Sequence, residues 1–171
     1  MRWQRGLLVV ATVALLLAAC GNDTLSVRGV EEPAAVPPRE ATLADGGWPE
    51  AAAWIRQENA DGRPVLVNIL ASWCAPCREE LPVLLDAYDA NPDIAFLGIA
   101  HLDRREDAER FLDEMDVRFP TIFDITGDVA GAVQARGMPT TVIFDTDGDL
   151  VAHHSGLLTA SQLEDLLDRV R

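Results

Sequence analysis

Two cysteines, Cys74 and Cys77, stand three positions apart in Trp73-Cys74-Ala75-Pro76-Cys77. On the first turn of a helix, residues at i and i+3 share a face, close enough for their sulfurs to form a disulfide. The unpaired N–H groups and the dipole at that helix end stabilise a thiolate. A thiolate at Cys74 attacks a disulfide sulfur, and Cys77, one turn further in, resolves the resulting mixed disulfide. On spacing alone the pair is as compatible with an inert structural bridge or with half of a metal site. Three cysteines in the whole chain are too few for a disulfide-stapled mini-protein, and they lack the spacing of a four-ligand zinc site.

The elements around the pair bear on that choice. Val65-Leu66-Val67-Asn68-Ile69-Leu70 reads as a buried strand interrupted by one polar residue. After the cysteines, Leu81, Leu84, Leu85 and Tyr88 fall at i, i+3, i+4 and i+7, which makes one face of a helix ending at Asn91-Pro92. Ile94 to Ile99 is a second apolar strand, and Ala108, Phe111, Leu112 and Met115 repeat the helical pattern. Strand–helix–strand–helix with continuous apolar strands predicts parallel pairing with helices covering the sheet. The ending differs. Thr140 to Phe144 and Leu150 to His154 flank Asp147-Gly148, a hairpin signal. Thr159, three before Gln162, predicts a capping box for a last helix lined by Leu163, Leu166, Leu167 and Val170. The fold class is therefore α/β with a mixed sheet, and the cysteines lie between its first long strand and the following helix.

The chain of 171 residues carries 28 acids against 14 bases, a formal charge of −14, and every base is an arginine. Such a chain repels phosphate backbones, so no nucleic-acid partner is expected. A hydrophobic fraction of 49% excludes global disorder. No metal site is expected, because His101, His153 and His154 have no ligand partners at useful spacing and read as structural or surface residues.

The start of the chain reads as an address. Arg2 and Arg5 precede an uncharged run from Leu7 to Ala19, too short to span a bilayer but the length of a signal-peptide core. Leu17-Ala18-Ala19-Cys20 resembles the bacterial lipoprotein signal, which implies lipidation at Cys20 after cleavage. Lipidation would leave two thiols, Cys74 and Cys77. The expected organisation is a signal peptide over 1–19, a lipidated cysteine with a flexible proline-rich tether over 20–47, and one domain over 48–171. Trp48 to Asn59 reads as the first helix of that domain, with Ala51, Trp54 and Ile55 on its apolar stripe.

Taken together, Val65 to Asn68, Ala71 to Pro82, and Gly137-Met138-Pro139-Thr140-Thr141 resemble the thioredoxin superfamily, specifically the exported TlpA/ResA-type thiol–disulfide reductases. The resemblance implies a thioredoxin-like fold with an inserted helical element between Leu102 and Gln134. It implies that Pro139 is the family's cis-proline beside the cysteines. Trp73, Met138 and Pro139 are then expected to contact substrate, the Met138 backbone pairing with an extended strand. Asn68 stands where cytoplasmic thioredoxins have a buried proton-relaying Asp. In TlpA/ResA relatives the active-site acid follows the second cysteine by three, which carries over to Glu80. From its place on the helix face of Cys77, Glu80 is expected to accept that thiol's proton. The entry to the domain departs from the family, which usually begins with a β-hairpin.

The implied activity is reduction of client disulfides outside the cytoplasm, with no cofactor beyond the cysteine pair. The implied partners are a membrane electron donor of the CcdA/DsbD kind and clients such as apocytochromes c. The Ala75-Pro76 dipeptide resembles that of reductases, whereas strong exported oxidases usually carry His before the second cysteine. Thiol oxidation or isomerisation, and copper delivery by a tethered metallochaperone, are the alternative readings.

Overall fold

The computed structural model describes residues 25–171. The proposed signal and Cys20 lie outside the described residues. A 3₁₀ turn at Val27–Gly29 is followed by β1 (Leu43–Asp45), α1 (Trp48–Ala60), β2 (Val65–Leu70), α2 (Ala75–Ala90), β3 (Ala95–His101) and α3 (Arg105–Glu114). Then come β4 (Thr121–Asp124), α4 (Asp128–Ala132), β5 (Thr140–Phe144), β6 (Leu150–Ser155) and α5 (Ala160–Leu167). The strands form one sheet in the order β1-β4-β3-β2-β5-β6. The β1, β4, β3 and β2 strands run parallel, and β5 runs antiparallel to both its neighbours, β2 and β6.

Period-two alternation sends side chains of each central strand into two cores. Leu66 and Leu70 of β2 pack with Leu81 and Leu84 of α2 and Leu163 and Leu167 of α5. Val65, Val67 and Ile69 pack on the other face with Ala51, Trp54 and Ile55 of α1 and Val129 of α4. The helices thus cover both faces, and all six residues of β2 are buried. Asn68 shares the face of Leu66 and Leu70, so the alternation aims its amide at α2. The predicted last helix is capped as expected, with Thr159 and Gln162 exchanging hydrogen bonds.

The helical element expected between Leu102 and Gln134 is present as α3 and α4, and between them lies strand β4, which the sequence reading did not include and which pairs with both β1 and β3. The expected tether over 20–47 is docked on the domain from Leu25 onward. Leu150 N–H donates to the Leu25 carbonyl at 2.8 Å and Val27 N–H to the Gly148 carbonyl at 3.0 Å. Val27 is fully buried, and a bidentate pair joins Arg28 to Asp149 with both contacts at 2.8 Å. Arg56 donates to the Val27 carbonyl at 2.7 Å, and Trp54 Nε1 to the Pro38 carbonyl at 3.3 Å. Arg39 and Arg63 both reach the buried Glu58, at 2.5 and 2.6 Å. Apart from the local Arg63–Glu58 pair, these attachments join positions far apart in sequence, so they impose no period on it. Composition alone therefore reads as linker.

Candidate active site

The cysteines meet where β2 gives way to α2. Cys74 is the N-cap of α2, and its Sγ accepts the Cys77 N–H at 3.2 Å, taking up one donor that the helix end leaves free. Cys74 and Cys77 form a disulfide with their Cα atoms 5.3 Å apart. Cys74 is 6% exposed and Cys77 1%, so Cys74 is the more open of the two sulfurs.

Cys74 opens into a groove of about 470 Å³ lined by Trp73, Pro76, His101, Ala130 and Met138 among others. Trp73 is 60% exposed, its indole N–H held by the Leu102 carbonyl at 3.3 Å. The Met138–Pro139 peptide bond is cis. No backbone hydrogen bond among the described residues engages Met138, whereas the Pro139 carbonyl accepts the Gly156 N–H at 2.8 Å. The structure therefore brings Trp73, Cys74 and Met138 to one groove, with Pro139 at its border.

Glu80 lies one turn beyond Cys77 on α2 and is 1% exposed. Its Oε1 accepts from Asn68 Nδ2 at 2.8 Å and its Oε2 from the Leu158 N–H at 2.7 Å. Burial pushes the Glu80 pKa above its ordinary 4.5, and the hydrogen bonds from Leu158, Asn68 and Thr141 oppose that rise. Glu79, its neighbour in sequence, is exposed.

Two residues of this region were not singled out by sequence reasoning. Asp103, 6% exposed, accepts the Ser72 N–H at 2.6 Å, the Ser72 hydroxyl at 2.8 Å and the Arg104 N–H at 2.8 Å. It fastens the turn that presents Trp73 and Cys74. His101, expected to be structural or surface, lines the cysteine groove, and its Nδ1 is buried with no hydrogen-bond partner among the described residues. A signal for both was present. β2 and β3 pair in parallel with Leu70 opposite Ala100, so the residues after each strand emerge side by side. Among the described residues, no group of three or more His, Cys, Asp or Glu side chains converges to hold a metal.

Residues 37–153 match the AhpC/TSA family. The chain is 30% identical to the thiol–disulfide oxidoreductase ResA of Oceanobacillus iheyensis over 118 residues, covering 68% of this chain and 62% of that protein. It is also 30% identical to the thioredoxin-like protein YneN of Bacillus subtilis, over 65% of this chain and 67% of the relative. The solved structure of DsbF from MTB superposes with a TM-score of 0.61 at 23% identity, over 64% of this chain and 82% of that one, which shows the thioredoxin-like fold. With Cys74 capping the helix after β2 and Cys77 in its first turn, the chain belongs to the AhpC/TSA family of thioredoxin-like proteins, close to the ResA-type thiol–disulfide oxidoreductases.

Proposed function

We propose that the protein is an extracytoplasmic disulfide reductase, anchored to a membrane through acylated Cys20 and acting on client proteins through Cys74 and Cys77. The observation that carries the reading is the redox-competent pair at the α2 N-terminus beside the groove bordered by the Met138–Pro139 loop. The reduced Cys74 thiolate, favoured by the helix end, attacks one sulfur of a client disulfide. The client S–S bond breaks, its second sulfur leaves as a thiolate, and a mixed disulfide remains on Cys74. Cys77 loses its proton toward Glu80 and attacks Cys74 Sγ, closing the Cys74–Cys77 disulfide and expelling the first client sulfur. Two electrons pass to the client, whose thiolates take up two protons. The unpaired Met138 backbone offers an extended client strand a place to pair.

Reduction, rather than oxidation, is supported by Ala75-Pro76 between the cysteines. A reductase in an oxidising compartment must be recharged, for which a membrane thiol carrier of the CcdA/DsbD kind is the fitting donor. Clients with paired cysteines, such as apocytochromes c, fit the chemistry. Among the described residues no helix is long and apolar enough to cross a membrane. The deciding measurement is the equilibrium potential of the Cys74–Cys77 pair in the purified protein. A value well below the ~−180 mV of disulfide isomerase supports the reductase, and one near ~−120 mV overturns it in favour of an oxidase.

A further inference from the structure

We propose that Leu102 binds the client: with the Trp73 indole it builds a fixed apolar rim on the cysteine groove, and that rim takes a large apolar side chain standing next to the client's reacting cysteine. The proposal rests on the reading of Cys74 and Cys77 as a pair acting on protein disulfides, and it adds what the site selects.

Leu102 directly follows β3 and has a φ of +45°. In that left-handed region the Cβ of an L-residue crowds the following carbonyl oxygen, and Gly, Asn and Asp are the residues that visit it most readily. Three non-glycine residues among the described ones have positive φ, Leu102, Asp116 and Gln134, and Leu102 alone is apolar. Burial offsets little of the strain, because Leu102 is 51% exposed. An asparagine would serve the fold better here. Strain held without a return inside the fold is a mark of positions kept for function.

The backbone of Leu102 ties together the parts of the rim. Its N–H donates to the Asp124 carbonyl at 3.0 Å, and its carbonyl accepts the Trp73 indole N–H at 3.3 Å. The first bond joins the end of β3 to the end of β4, and the second holds the indole immediately before Cys74. The Leu102 side chain leans on Gly127, its Cγ and Cδ2 lying 3.5 Å from the point where a Cβ on that glycine would stand. Both halves of the rim are thus in place before a client arrives, so little has to be ordered on binding.

Single exposed apolar residues are ordinary on a protein surface. Here five large ones are exposed among the described residues, Val36, Trp73, Leu102, Ile125 and Leu157, and two of them meet beside the reactive sulfurs. The groove inside the rim continues the same chemistry with Ile69, Pro76, Ala130, Ala135 and Met138. No Asp, Glu or Arg is among the residues that line it, in a chain carrying 28 acids. In the mixed disulfide the client's cysteine is bonded to Cys74 Sγ, so the residues flanking it come over Trp73 and Leu102. An apolar side chain there buries the rim, and a polar one leaves it wet.

The test uses the purified full chain, reduced beforehand, and two peptides that each hold one internal disulfide, their cysteines flanked by leucine in one and by serine in the other. The leucine peptide should be favoured in kcat/KM by about tenfold or more, the discrimination expected of an apolar side chain seated on apolar surface. Leu102→Asn keeps a residue that accepts the left-handed conformation and removes the apolar surface. Its preference should fall to about twofold or less, while its urea midpoint is no lower than the parent's. Leu102→Met restores apolar surface and should hold the parent preference within about twofold. A parent preference below about twofold overturns the rim and leaves disulfide exchange standing, whereas a parent that reduces neither peptide overturns both. A preference that survives in Leu102→Asn, or disappears in Leu102→Met, overturns Leu102 as its source. A lower urea midpoint for Leu102→Asn also overturns the proposal, since leucine then serves the fold.

Discussion

Asn68 Nδ2 donates to Glu80 Oε1 at 2.8 Å and to Thr141 Oγ1 at 3.0 Å, so one amide on β2 joins the helix of the cysteines to β5. An amide cannot titrate, which leaves Glu80 as the ionisable member of this buried trio. Its raised pKa has a consequence for stability. The folded state holds the Glu80 proton to higher pH than the unfolded chain does. The stabilisation is fully present below about pH 4.5 and is lost as pH rises through the folded-state value. Glu80→Gln removes that titration. The urea midpoint of the parent, measured relative to the variant, should therefore fall with increasing pH above about 4.5. A difference that stays flat across that range refutes the raised pKa.

The same substitution tests the proton route. Glu80→Gln keeps size and polarity but accepts no proton, so release of client from the mixed disulfide should slow by about tenfold or more. Glu79→Gln, on the exposed side of α2, should leave the rate within about twofold. Stopped-flow resolution rates across pH decide it. Superimposed profiles for parent and Glu80→Gln mean that the proton leaves through water.

The division of labour between the cysteines is visible by trapping. Cys77→Ser lacks the resolving thiol and should accumulate client mixed disulfides on Cys74, seen as mass adducts under non-reducing conditions. Cys74→Ser should accumulate few, because Cys77 is the more buried sulfur. Equal trapping by both reverses or abolishes the assignment.

Asp103 is expected to matter more than its distance in sequence suggests. Asp103→Ala strips three hydrogen bonds from a buried site and leaves the Ser72 N–H without its acceptor. Urea unfolding should show a loss of about 2–3 kcal/mol. A change below about 0.5 kcal/mol, the size of an ordinary surface substitution, would show that the clasp is dispensable.

Cys20→Ala should move the protein from the membrane fraction to the soluble fraction while the purified domain keeps its disulfide-reducing rate. Two acyl chains anchor stably where one binds only marginally. Membrane association that persists in the variant points to an uncleaved segment or a protein partner.

Legibility in the sequence followed the range of the forces involved. β2, α2, β3 and α3 were readable because their apolar periods run for several residues, and the Thr159–Gln162 box because capping is local. β4 has four residues, all buried, and so shows no alternation. β1 has three, and among the described residues it pairs only with residues 121–123. Neither length carries a period. At the site, the resemblance singled out Glu80, whereas helical spacing alone did not explain why Glu80 is buried and Glu79 is not. That follows from Asn68 facing α2 across the core. His101 and Asp103 become neighbours of the cysteine turn only through the parallel register of β2 and β3.

The clamp between Arg28 and Asp149 joins positions 121 apart, so the first described residues to be synthesised are completed by some of the last. Until the β5–β6 hairpin exists, residues 25–28 have nothing to pair with, and β1 must wait for β4. Contacts of such long sequence separation form late, because closing the loop precedes the gain from the contact. A chain made from its N-terminus onward thus keeps its leading segment loose while the remainder emerges. Closure of the fold is deferred until synthesis is nearly finished.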